Sequence, residues 1–133
     1  MNGGRQKDVV LILARELASN IATPMLVLDA KGMLVFFNEP AEVVLGTTFA
    51  MTGEIDAREW DSRWPITDVD GNPVSLLDTP LAKVITDRTP GHQTINVEGL
   101  DQVCRRIEAT VYPLFGAAHH FVGAVGVFWQ ADA

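Results

Sequence analysis

The sequence predicts an α+β fold, and three observations carry that reading. An amphipathic helical stretch opens the chain, apolar runs bounded by turn residues mark five strands, and brief helical segments fall between the second strand and the third. Helices and strands are segregated along the chain rather than alternating, which favours α+β over a parallel βαβ design. The 133 residues are 47% hydrophobic and 20% charged, with 11 Gly and 7 Pro, enough apolar mass for one core and too little chain for two of normal size. We therefore expect an N-terminal amphipathic flanking helix within residues 1–20 and a single domain over residues 21–133.

Ten Lys and Arg against 17 Asp and Glu give a net charge of −7, which opposes the phosphate attraction behind general nucleic-acid binding. DNA, RNA and anionic lipid are not the expected partners. Most of the excess lies between residues 38 and 88, where ten acids face only Arg58, Arg63, Lys83 and Arg88. The one cysteine, Cys104, has no internal disulfide partner, and no Asn-x-Ser/Thr acceptor occurs. The run Val9 to Ala14 is too short to span a bilayer and no cleavage site follows it, so no signal peptide, no membrane segment and a cytoplasmic location are expected.

Residues 7–20 carry the helical period: Val10, Leu11, Leu13, Ala14, Leu17 and Ala18 fall on one arc, with Asp8, Arg15, Glu16 and Ser19 opposite. Val9 and Ile12 sit among the polar positions, an excess that asks for a second partner. After Thr23-Pro24, Met25 to Asp29 and Met33 to Phe37 form a hairpin through a turn with Gly32 at positive φ. Asn38 is the N-cap of a short helix over Glu39 to Leu45 that Gly46 ends. Residues 47–75 read as loops and single turns. Thr79-Pro80 then starts a helix reaching about residue 88, with Leu81, Val84 and Ile85 on one face.

Three strands follow, over His92 to Val97, Val103 to Leu114 and His119 to Gln130. In the fourth strand Val103, Ile107, Ala109 and Val111 alternate with polar residues, which puts Cys104 on the face away from the core. In the fifth, Phe121, Val125, Val127 and Trp129 oppose Val122, Ala124 and Phe128, and both sets are apolar. The outer face therefore needs a cover, and the N-terminal helix, of this chain or of a second copy, is the surplus apolar element. We expect a homodimer with Val9, Ile12, Val122 and Phe128 in its interface.

Read together, these segments resemble a known family. Met25 to Gly46, "MLVLDAKGMLVFFNEPAEVVLG", resembles the opening of a PAS domain: strand, Asp-x-x-Gly turn, strand, Asn and short helix. Asp68 to Ile85, "DVDGNPVSLLDTPLAKVI", is similar to the Asp-Gly-x-Pro turn and following helix of bacterial sensory PAS domains, and "RRIEATVYPLFGAAHHFVGAVGVFWQ" resembles their closing hairpin. The resemblance spans about residues 20–130. It implies a five-stranded antiparallel sheet in the order 2-1-5-4-3, with short helices over one face and a cavity between. It also implies a signalling role upstream of an output domain such as a kinase, phosphatase or cyclase. The flavin-photosensor motif Asn-Cys-Arg-Phe-Leu-Gln is missing, and residues 79–88 lack the histidine that haem-binding members place there. No cofactor is assigned, and flavin and haem are not expected.

The candidate ligand-binding residues are Trp60, Trp64, Leu81, Val84, Ile85 and His92, bounding the cavity beneath the 79–88 helix. Trp60 and Trp64 are four apart and share a face if helical, and a small domain also spends its tryptophans on burial. His92 follows the cavity helix, whereas His119 and His120 project to opposite sides of a strand and do not converge on one ion. Asp68, Asp70 and Asn72 imitate half of a calcium loop, but Pro73 and Thr79 occupy its required glycine and acid positions, leaving an Asx-capped turn. Glu54, Asp56, Glu59 and Asp61 are the acids a small isomerase would draw on. No nucleophile triad, P-loop or Cys/His arrangement supports an enzyme, and no metal site or catalytic residue is assigned. The expected function is a dimeric sensory module that binds a small apolar ligand. The alternatives are a ligand-free interaction module and a small enzyme.

Overall fold

Asp29 decides the first hairpin. Its Oδ1 accepts from the N–H of Lys31 at 2.9 Å and of Met33 at 3.0 Å, and Gly32 takes φ +87°. This turn pairs β1 (Met25–Asp29) with β2 (Met33–Phe37), Leu26 opposite Phe37. The computed structural model describes residues 9–131. Three longer strands, β6 (Gly91–Glu98), β7 (Cys104–Phe115) and β8 (Phe121–Gln130), form an antiparallel meander, and β8 closes onto the free side of β1. The order β2-β1-β8-β7-β6 is the predicted 2-1-5-4-3. Three two-residue strands extend its edges: β3 (Ile55–Asp56) beside β2, then β4 (Ile66–Thr67) and β5 (Pro73–Val74) beyond β6, making eight strands.

The helices are α1 (Val9–Ser19), α2 (Glu39–Leu45), α3 (Phe49–Thr52), α4 (Trp60–Arg63) and α5 (Lys83–Thr86). All but α1 lie in the segment between β2 and β6. Asn38 caps α2 as expected, its Oδ1 accepting from Ala41 N–H at 3.1 Å, and Gly46 ends it at φ +71°. Asn38 does more than cap. It is 2% exposed, accepts from Met25 N–H at 2.9 Å, and donates through Nδ2 to the carbonyls of Ala18 and Thr23, both at 2.9 Å. One buried amide thus joins the end of α1, the first strand and α2, with all these partners satisfied in a low-dielectric site.

The expected 79–88 helix is broken. Thr79 Oγ1 caps Leu81 N–H, but residues 80–82 wind as a 3-10 turn and only Lys83–Thr86 is α-helical. Pro80 offers no N–H, Val84, Ile85 and Thr86 are β-branched, and Thr89-Pro90 follows, so sustained helix has little local support. The carbonyl of Pro80 also lies so close to Gly91 that a Cβ there would collide with it. This contact fixes the turn against the start of β6.

The faces of β8 are the reverse of those expected. Ala124 and Phe128, exposed 0% and 4%, lie in the main core with Leu34, Phe37, Trp64, Ile95 and Ile107, while Val125 packs outward. A register shift between Leu114 and Phe115, opposite Gly123, sets Phe121 against Phe115 and so on the face of Ala124, not on that of Val125. Alternation alone names two faces without saying which is inner.

On the outer face α1 seats Leu11, Ala14 and Ala18 against Met25, Val27 and Val125. The expected wider stripe is corrected: Leu13 and Leu17 are 60% and 56% exposed, alongside Val9 and Ile12. The two alanines let the helix sit close over β1 and β8, while its larger side chains project beyond them.

Candidate functional site

A cavity of about 650 Å³ lies between the inner face of the sheet and residues 76–86, within the size range of small-molecule sites. Its floor is Ile95 and Val97 of β6, Ile107, Ala109 and Val111 of β7, Phe128 of β8 and Leu26 and Leu28 of β1. Ala109 and Gly126 leave room there because neither projects a side chain of any length. Its roof is Leu76, Leu81, Ala82 and Ile85, with Leu34, Leu45 and Trp60 closing one end.

The roof is held by polar bonds at its start. Leu76 N–H donates to Asp61 Oδ1 at 2.9 Å, and Thr79 Oγ1–H donates to Leu76 O at 2.7 Å. These bonds fix the backbone from one side without requiring the side chains beneath to fill the space. Lys31, Asp56, Arg58, Asp78 and Lys83 stand at the margin. Asp56 and Arg58 form a forked pair, Nε to Oδ1 at 3.0 Å and Nη2 to Oδ2 at 2.6 Å, and this guanidinium, together with Arg58 N–H, holds the Asp56 carboxyl down at about 2.

Of the predicted ligand-binding residues, Trp60, Leu81 and Ile85 line the cavity. Trp64 and Val84 do not: both are fully buried in the packed core beside it. Trp64 meets Trp60 with ring centroids 4.7 Å apart and Phe37 edge-on at 6.2 Å, and its Nε1–H donates to Leu45 O at 3.0 Å. The Trp60 Nε1–H, by contrast, is buried with no acceptor, an arrangement that costs about 1–3 kcal/mol in a protein interior.

His92 is a correction. It sits on the outer face, opposite the cavity, with Nδ1 2.6 Å from Thr110 Oγ1, Nε2 3.4 Å from Glu108 and its ring near Trp129. Ile95 and Val97 alternate with it along β6, so the strand that carries the floor turns His92 away. His119 stacks on Phe115 at 4.3 Å in the exposed turn before β8. Cys104 is exposed. Asp68 accepts from Asp70 and Asn72 N–H, both at 2.9 Å, as an Asx turn requires, and these backbone donors lower its carboxyl. No trio of His, Cys, Asp or Glu among the described residues is placed to hold a metal ion.

The floor residues and Lys31 and Arg58 were missed as site residues, and Asp56 was weighed only as an acid for an enzyme. The floor was legible as the apolar half of the β6 and β7 alternation. The margin was not, because a turn at residue 31 and a turn at residues 56–58 meet only through β2–β3 pairing.

A second concavity lies on the outer face, where Val10, Leu13 and Leu17 of α1 overhang Tyr112 and Leu114 of β7. Val9 and Ile12 are 64% and 62% exposed beside it. Val122 is half-buried near Val10, and Phe128 is removed from the expected interface by its burial on the other side.

This arrangement, a five-stranded antiparallel sheet with a cavity under short capped segments, defines a PAS fold. No family model matches the sequence, and no curated protein matches it. Solved structures do. The PAS domain of a protein from Colwellia psychrerythraea superposes with a TM-score of 0.64 at 16% identity, covering 92% of this chain and 97% of that one. The PAS domain of nitrogen regulation protein NR(II) from Vibrio parahaemolyticus gives 0.58 at 16%, covering 90% and 98%. That of the fruit-fly ELK potassium channel gives 0.71 at 7%, covering 95% and 100%. The chain has the PAS fold. No helix among the described residues is long and apolar enough to cross a membrane.

Proposed function

We propose that this chain is a sensory module that binds a small, largely apolar ligand in the inner cavity and passes its occupancy, as a homodimer built on α1, to an output enzyme. The observation that carries the reading is the 650 Å³ apolar cavity beneath a roof of short capped turns. PAS domains of a sensor histidine kinase and of a nitrogen regulation protein among the structural neighbours support a signalling role. Coupling needs a part touched by both sites. β8 places Phe128 in the cavity wall and Val125 under α1, so a ligand that favours one packing of roof on sheet also biases the seat of the helix.

The small-enzyme reading loses support at Asp56. It is the one of the four candidate acids that lines the cavity, yet its Arg58 pair keeps it ionised far below neutral pH, the opposite of what a general acid or base needs. A ligand-free interaction module remains as a second reading because of the exposed apolar stripe of α1. Native mass spectrometry of the purified chain tests the first: an adduct that the cavity-filling variant Ala109→Leu loses is the expected result, and its absence leaves the interaction module. Sedimentation tests the dimer, which Leu13→Glu with Leu17→Glu should convert to monomer.

A further inference from the structure

The cavity wall is apolar, but its margin has a sign. Three cations, Lys31, Arg58 and Lys83, and two carboxylates, Asp56 and Asp78, line it. Arg58 and Asp56 neutralise one another in their forked pair. That leaves two ammonium groups and one carboxylate, an excess of one positive charge at the opening of a chain whose net charge is −7. Neither Lys31 nor Lys83 has a carboxylate partner within ion-pair distance among the described residues. Two unpaired ammonium groups thus stand at the margin of an otherwise apolar space.

We propose that the ligand is an unbranched alkyl monocarboxylate, its tail between Ile95, Ala109 and Leu81 and its carboxylate at the margin between Lys31 and Lys83. The assignment rests on the ligand-binding reading above and narrows it. A neutral hydrocarbon would make no use of the charged margin, a cationic amphiphile would meet like charge, and one carboxylate matches the excess of one. The tail supplies affinity in proportion to its length, about fourfold for each buried methylene. The head supplies selection, because charge-assisted hydrogen bonds are the stronger kind.

Titration of the full chain, followed by tryptophan fluorescence, compares decanoate with 1-decanol at neutral pH, below their aggregation limits. Decanoate should bind at least about tenfold more tightly than the alcohol, and octanoate about fifteenfold more weakly than decanoate. Lys31→Gln combined with Lys83→Gln, both exposed positions, should erase the preference for the acid, bringing the decanoate-to-decanol affinity ratio to about one. Equal binding of acid and alcohol by the unaltered chain would overturn the carboxylate while leaving an apolar-ligand cavity intact. A preference that survives the double substitution would overturn the assignment to these lysines. Binding of neither overturns the proposal, and extends to the ligand-binding reading only if native mass spectrometry also finds no adduct.

Discussion

The two faces of the sheet use the same strands and are covered in different ways. Outside, a single helix of eleven residues lies across β1 and β8 and seats Leu11, Ala14 and Ala18 on Met25, Val27 and Val125. Inside, the cover is a succession of short pieces, four of them started by a side chain that accepts from the backbone: Thr48, Asp56, Ser75 and Thr79. A long helix presents a continuous ridge and packs close. Short pieces are fixed by local polar bonds and bridge the sheet where their side chains do not reach, which is where the cavity lies. The inner face is therefore part packed core and part empty space, and substitutions should separate the two.

The largest effect is expected in the packed part. Trp64→Ala removes a fully buried indole, its edge contact with Phe37 and its bond to Leu45 O, and should cost about 3–5 kcal/mol in urea unfolding. A loss below about 1 kcal/mol would mean the core yields as easily as the cavity. Asn38→Ala strikes the tie between the faces. As a cap alone it would cost about 1 kcal/mol, but it also leaves Met25 N–H and the carbonyls of Ala18 and Thr23 unpaired, so about 3 kcal/mol is expected. Chemical denaturation distinguishes the two values.

The boundary between packed and empty space is tested by a pair. Val84 is fully buried outside the cavity wall, so Val84→Trp should overpack and lose about 1–3 kcal/mol. Ala109 faces the cavity, and Ala109→Leu should change the melting midpoint far less. If both substitutions are equally damaging, the roof is pressed onto the floor and the space is not available to a ligand.

Much of this was legible in the sequence because it was local. The Asp29 turn, the Asn38 cap, the Thr79 cap and the 2-1-5-4-3 order follow from residues near one another in the chain or from the resemblance they compose. What was not legible was relational. Phe128 faces inward because it pairs with Ala109, and only the register shift opposite Gly123 separates Phe121 from the face of Val125. His92 was placed by its nearness in sequence to residues 79–88, while the pleat of β6 turned it outward. Trp60 and Trp64 were paired correctly, yet only the position of the roof makes one of them wall and the other core. Lys31 and Arg58 became neighbours of one opening through the pairing of β2 with β3.

The smallest expected effect belongs to the rim, where solvent screens the charges. Asp56 carries a carboxyl held at about 2 by the Arg58 guanidinium, below its ordinary 3.8. A carboxyl depressed in the folded state adds stability above its unfolded value, and that stability fades as pH falls from about 4 toward 2. Asp101, lowered first by the Arg105 guanidinium, and Asp68, lowered first by Asn72 N–H, act in the same direction in the acid range. Asp56→Asn should therefore melt slightly below the unaltered chain at neutral pH, with the gap closing across the interval from about 4 to 2 rather than vanishing outright, since Asn also loses the forked bond geometry. Melting curves at half-unit steps from pH 6 to 2 measure it. A gap constant to pH 2 would show that the Asp56–Arg58 pair stabilises the inner cover by packing and not by charge. The rim would then hold its turn by the same kind of contact as the outer helix, and the distinction between the two covers would lose its electrostatic part.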